Sequence, residues 1–239
     1  MKLDILAFAS HPDDVELGCS GTLIAHAQAG KKTGVADITA GELGTRGTPE
    51  IRAQEAAAAT EILGLQVRVN LNLPDGFFRS DRESLLAVVK VIRTYQPEIV
   101  LMNAIHDRHP DHGRGSGLVS EGCFLAGLKQ IKTQNEVGEE QAAWRPKTVY
   151  HYIQDRYIEP DLVVDITEVW GKKVQTIQVF KSQFFDPDNT TPNTYISNPE
   201  FLPFIEGRAR EMGHKIGTTF GEGFTRERPI GVRSLFDLI

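Results

Sequence analysis

Short apolar runs alternate with stretches of helical periodicity from the start of the chain. Leu3 to Ala9 is almost wholly apolar and closes on Ser10-His11-Pro12, the pattern of a buried strand. Gly21 to Gly30 has helical character, and Gly34 to Thr39 reads as a second strand. A glycine-rich loop over 40–47 leads to a well-marked helix: Thr48 can cap it, Pro49 suits its first position and Gly64 can end it. Val67 to Leu71 is the third strand. Leu85, Leu86, Val88, Val89, Ile92 and Tyr95 then recur at helical spacing up to Pro97, and Ile99 to Met102 is the fourth strand. Tyr150 to Ile153 and Leu162 to Val164 read as later strands. Two further helices are predicted, one over about Glu168 to Ser182. The other has Asn198 as cap, Pro199 at its first position and Gly213 at its end.

This alternation predicts an α/β protein, a Rossmann-like three-layer fold around a mostly parallel sheet. Ligands then bind beyond the carboxyl ends of the strands, where the polar motifs of this chain fall. The length, 239 residues, is read as a single domain over 1–239. Lys plus Arg number 26 against 32 Asp plus Glu, a net charge of −6 that argues against a nucleic-acid partner. No run approaches the roughly 20 apolar residues of a membrane span, and no signal-peptide pattern precedes His11, so a cytoplasmic location is expected. Cys19 and Cys123 match neither a disulfide framework nor a thiolate zinc pattern, and are read as half-buried thiols.

Two motifs carry the candidate chemistry: Ser10-His11-Pro12-Asp13-Asp14 after the first strand and His106-Asp107-Arg108-His109-Pro110-Asp111-His112 after the fourth. Each sets imidazoles and carboxylates on a proline-containing turn. Alone, a His-Pro-Asp turn is commonly just a turn. Two of them at strand ends point to a metal, because burying so many ionisable groups without a cation is costly. A catalytic zinc needs three protein N or O ligands and an open position. His11, Asp14 and His112 would supply that set. Asp13 is left beside the metal as a general base, and a protonated His109 opposite as a donor to a developing oxyanion or to the leaving amine. Asp111 is placed to fix the tautomer of an imidazole, or simply to form a turn. His26, His151 and His214 have no ligand-like neighbours, and His106 is ambiguous.

With these motifs, the segments Gly44 to Arg52, Leu73-Pro74-Asp75-Gly76, His109-Pro110-Asp111-His112-Gly113 and Gly217 to Phe224 resemble the PIG-L or LmbE-like family of zinc-dependent N-acetylglucosamine deacetylases. The likeness is greatest to the bacillithiol-pathway branch acting on N-acetylglucosaminyl malate. It implies His11, Asp14 and His112 as zinc ligands, one zinc per chain, Asp13 as base and His109 as stabiliser of the tetrahedral intermediate. It also implies Arg52 and Asp75, and less directly Glu42, as holders of sugar hydroxyls. Many members carry Glu directly after the paired aspartates; here Val15 intervenes before Glu16. Arg46, Arg52 and Arg108 lie in or beside the loops above the sheet, and guanidinium groups suit the carboxylates of the implied malyl aglycone, unless they pair with acids such as Glu42 or Glu50. The family likeness also implies a homo-oligomer, a trimer or hexamer, for which Phe184, Phe185, Phe201 and Phe204 are candidate contacts if they do not pack the core. Iron(II) can occupy such a His/Asp set in place of zinc. The rival readings are an amidase acting on a thiol conjugate of the same sugar, a dinuclear metallophosphoesterase and a non-catalytic sugar-binding protein. Two metals per chain would mark the phosphoesterase, and a dispensable Asp13 the binding protein.

Overall fold

The computed structural model describes residues 1–188 and 192–238. Its elements in chain order are β1 (Ile5–Ala9), α1 (Asp14–Gly18), α2 (Ser20–Gln28), β2 (Thr33–Asp37), α3 (Pro49–Leu63), β3 (Val67–Asn70), α4 (Arg82–Tyr95), β4 (Ile99–Met102) and α5 (Pro110–Ala126). There follow β5 (Thr148–Tyr152), β6 (Leu162–Asp165), α6 (Trp170–Gln178), α7 (Phe201–Lys215) and β7 (Gly221–Arg226). The seven strands form one sheet in the order β3-β2-β1-β4-β5-β7-β6. The pairs from β3 to β5 are parallel, whereas β7 runs antiparallel between β5 and β6.

β1 lies in the interior of the sheet and is buried on both faces. Leu6 and Phe8 pack with Val88, Val89 and Ile92 of α4 and Leu118 and Val119 of α5. Ile5, Ala7 and Ala9 point the other way, against Val15 of α1 and Leu23 of α2. That is the alternation of a strand sandwiched between helical layers. The chain moves outward from β1 to β3 and then returns past β1 to β4, so the order reverses between β1 and β4. In a doubly wound sheet that crevice is where a ligand sits, and both histidine motifs open onto it.

Capping chemistry places several helix ends. Thr48 accepts from the N–H of Ile51 with Pro49 at the first position, and Gly64 closes α3 at φ 69°. Asp81 accepts from Ser84 to start α4. Four expectations need correction. The predicted 21–30 helix is preceded by the separate short α1. The 168–182 helix shrinks to α6 behind a 3-10 turn over 167–169. Asn198 does not cap α7: its Oδ1 takes the N–H of Glu200 in the turn before, and the helix runs from Phe201 through Gly213 to Lys215. The thiols are fully rather than half buried: Cys19 and Cys123 are free and closed off from solvent, and burial pushes both pKa values up. Of the four phenylalanines, Phe184 and Phe201 pack in the core and Phe185 and Phe204 are exposed. Among the described residues no helix is long and apolar enough to cross a membrane.

Candidate active site

The two histidine motifs are helix starts rather than free turns. Asp13 is the residue before α1, held at φ 135°, a conformation that side-chain-bearing residues rarely adopt. His109 caps α5, its Nδ1 accepting from the N–H of Asp111 at 3.3 Å. β1 and β4 are paired neighbours, so the helices leaving them bring the motifs together. Ser10 ties the two: its Oγ lies within hydrogen-bond distance of Asn103 Oδ1 (3.0 Å) and of the Asp111 carbonyl (2.9 Å). Gly115 makes this approach possible, since a Cβ there would stand 2.5 Å from Ser10 Oγ.

Three imidazoles face one another at the bottom of a cavity of about 370 Å³, a size suited to a small-molecule ligand. Ring nitrogens of His11, His109 and His112 lie within 4.8 Å of one another. Asp14 sits between two of them, its Oδ1 3.1 Å from His112 Nε2 and its Oδ2 3.5 Å from His11 Nδ1. A second trio, His11, Asp75 and Asp111, is equally compact, with His11 Nε2 3.0 Å from Asp75 and 3.4 Å from Asp111. The donors are nitrogen and carboxylate oxygen, buried and converging, which is the chemistry of a divalent cation site.

The charges respond accordingly. Burial opposes a proton on His112, yet Asp14 and then Asp107 raise its pKa to about 9. His11 rises likewise against burial, through Asp111, Asp14 and Asp75. Burial would raise Asp14, but the two imidazoles hold it well below the usual carboxylate range. Imidazolium protons thus balance carboxylates that a metal ion would balance in their place.

Asp13 differs. Burial raises its pKa to about 7, offset in part by Arg52 and reinforced by Asp14. The buried Arg52 donates from Nη2 to the Pro12 carbonyl at 2.7 Å and to Asp13 Oδ2 at 3.0 Å, and from Nη1 to the Gly41 carbonyl at 3.3 Å. Gly41, at φ 67°, leaves room for that guanidinium, which any Cβ would strike. His109 is lowered by burial and then by its two histidine neighbours. Where an imidazolium is expected, the metal-free protein favours a neutral ring, whose Nδ1 accepts a hydrogen bond and which leaves the proton on Nε2.

The other expected residues divide. Asp75 lines the cavity; burial would raise its pKa, but the hydrogen bond to His11 lowers it to about 2, and its Oδ2 accepts from the N–H of Leu43. Glu42 lies off the cavity wall and takes the N–H of Asp75. Arg108 lines the cavity with a half-exposed side chain 3.8 Å from Asp155 and stacked on Tyr195. Arg46 is buried outside the wall, its carbonyl accepting from Gln183. Asp111 does contact an imidazole, that of His11, and also takes the N–H of Gly76.

Sequence reasoning missed the residues behind the cluster. Asp107 accepts from His112 Nδ1 at 2.5 Å, and its other oxygen takes the N–H groups of Asp155 and Arg156. Asn103 and Gln154 both donate to the Asp14 carboxylate, at 3.0 and 2.5 Å. Asp107 lies inside the second histidine motif, so its spacing to His112 was readable. Nothing in sequence distinguished Asn103 or Gln154.

Residues 6–122 match the PIG-L family, described as GlcNAc-PI de-N-acetylase. The conserved protein TT1542 from Thermus thermophilus superposes with a TM-score of 0.86 at 32% identity, over 98% of each chain. The chain belongs to the PIG-L family. Within reach of this PIG-L chain are two curated proteins of different chemistry. The 4-oxalmesaconate hydratase of Pseudomonas putida is 29% identical over 193 residues, 74% of this chain and 73% of that protein. The diacetylchitobiose deacetylase of Thermococcus kodakarensis is 27% identical over 191 residues, 75% of this chain and 70% of that protein.

Proposed function

We propose that this PIG-L protein is a zinc-dependent N-deacetylase that hydrolyses the acetamide of an N-acetylglucosaminyl conjugate, with N-acetylglucosaminyl malate as the substrate whose carboxylates suit the arginines Arg108 and Arg208 of the cavity wall. One observation carries the reading: a buried carboxylate, Asp13, fixed by Arg52 beside a His11–Asp14–His112 donor set at the floor of a ligand-sized cavity.

His11, Asp14 and His112 would hold the ion. When bound, zinc supplies Lewis acidity, polarising the acetamide carbonyl and lowering the pKa of water from about 15.7 toward 7. Asp13 takes the proton of the attacking water. Its pKa of about 7 suits a base working near neutral pH. His109 donates from Nε2 to the oxygen of the tetrahedral intermediate, a contribution of about 3 kcal/mol for one such donor. Asp13 then returns its proton to the leaving sugar amine. Asp107 orients His112 throughout, and Asp75 lines the wall where sugar hydroxyls would lie.

The hydratase relative supports a second reading, in which the same buried base activates water for addition to a double bond. A single assay separates them. Purified protein, chelated and then reloaded with zinc, is incubated with N-acetylglucosaminyl malate, N-acetylglucosamine and an unsaturated dicarboxylic acid. Release of acetate and free amine in equal amounts, lost on chelation and regained with zinc, is the expected result. Consumption of the unsaturated acid with no amine release would overturn the deacetylase assignment.

A further inference from the structure

The buried face of α7 contains Phe201, Ile205, Ala209 and Met212. Arg208 falls on the same stripe, seven residues after Phe201 and three after Ile205, and all three line the active-site cavity. A guanidinium is out of place in an apolar stripe unless something binds it.

Other buried arginines show how this fold accommodates such a group. Arg93 donates to the carbonyls of Ala126, Ile131 and Leu128 and to Thr133 Oγ1. Arg68 pairs with Asp37 and Glu16. Arg208 has no comparable set. Among the described residues its Nη1 is buried without a hydrogen-bond partner and no carboxylate lies within ion-pair distance; the Phe204 ring sits 5.2 Å from its centre. Asp155 and Asp107 act on it only at longer range, and burial holds its pKa below the ordinary arginine value. Arg46 shares the shortage but is not part of the cavity wall.

Arg108 and Asp155 line the cavity beside it, 3.8 Å apart. Arg208 and Arg108 thus bring two guanidiniums to a stretch of wall whose lining carboxylate is Asp155, with Asp107 acting from behind it, while the donor set that would hold the metal is mixed in charge. A fork with a free donor matches a carboxylate oxygen pair.

We propose that Arg208 is the specificity-determining anchor for a carboxylate on the aglycone of the substrate, with Arg108 as its partial partner nearer solvent. The assignment rests on the deacetylase reading and deepens it. The acetamide end is selected at the imidazole floor, and the acidic end on α7.

The test compares zinc-loaded wild type, Arg208→Gln and Arg208→Lys on N-acetylglucosaminyl malate and on the neutral methyl glycoside of N-acetylglucosamine. The ratio of kcat/KM for the acidic over the neutral substrate should fall by about tenfold to a hundredfold in Arg208→Gln. The fall should appear mainly in KM and be only partly restored by lysine, which keeps the charge without the fork. An unchanged ratio overturns the proposal. Titration calorimetry of free malate into wild type and variant gives a readout independent of turnover: binding present in wild type and lost in the variant supports it, and equal binding or none in wild type overturns it. Phenylglyoxal labelling of the wild type, mapped by peptide mass, covers a variant that fails to fold. Protection of Arg208 by malate supports the assignment, and labelling unaffected by malate overturns it. If neither glycoside is turned over, the deacetylase reading fails on its own, and the malate measurements still judge Arg208.

Discussion

Asp13 and Asp107 are both buried carboxylates under the influence of a neighbouring imidazole, yet their surroundings assign them different work. Asp13 is pinned by Arg52 on a strained backbone and faces the cavity, with its pKa raised to about 7. Asp107 is turned away behind His112, and the hydrogen bond from that ring keeps its pKa low despite burial. Asp13→Asn should therefore keep the metal and lose about 10²–10⁴ of kcat. Asp107→Asn should lose about 10–100-fold in metal affinity. Metal content by atomic absorption beside steady-state rates tests the split; a metal-free Asp13→Asn protein would make Asp13 a ligand. The sequence made the cluster legible because proline turns after apolar runs mark strand ends. It left the pairing of acids to rings open, because His109 and Pro110 start a helix and so turn Asp111 toward His11 and leave Asp107 for His112.

At the scale of elements, helices with a cap and a stop were readable, whereas the short α1, α5 and β7 were not. α5 has Gly113, Gly115 and Gly117 in its first two turns, each costing about 1 kcal/mol against alanine, so its opening resembles a loop. Packing overrides that propensity. Gly115 sits against Ser10 and Gly122 against Val88, so the glycines let the helix approach the sheet and α4 closely. β7, Gly221-Glu222-Gly223-Phe224-Thr225-Arg226, lacks the β-branched run of a strand. It forms because β5 and β6 both need a partner, and its glycines clear Val163 and Met212. Arg208 escaped for a related reason: only the finished helix shows that it shares a face with Phe201 and Ile205. Gly115→Ala should push α5 away from Ser10 and strain the Ser10–Asp111 link, costing about 1–3 kcal/mol. Zinc affinity should fall with it, since His112 rides on that helix. A fall in Tm with unchanged zinc affinity would show that the link does not position the site.

Across the whole molecule, the groups that titrate near neutrality gather at the carboxyl end of the sheet, so stability and metal binding should be coupled through pH. In the metal-free protein His112 stands at about 9, above its ordinary 6.5 because Asp14 and Asp107 outweigh burial. A raised imidazole stabilises fully below 6.5, and that contribution is lost as pH climbs through about 9. Asp13, raised by burial to about 7, acts in the same sense at lower pH: the contribution present below 3.8 is gone above 7. Asp75, lowered to about 2 by His11 against burial, works the other way, stabilising above 3.8 and losing that contribution only as pH falls through about 2. The chelated protein should therefore lose thermal stability steadily from about pH 6 to about pH 9. Zinc reverses the balance, because it needs the imidazoles neutral and releases their protons on binding. The difference in Tm between zinc-loaded and chelated protein should widen over that interval, and calorimetry in buffers of different ionisation enthalpy should register proton release that shrinks as pH rises toward about 9. A constant Tm difference, with no protons released near neutral pH, would mean that neither His112 nor His11 exchanges a proton for the metal, and the assigned His11, Asp14 and His112 set would fall.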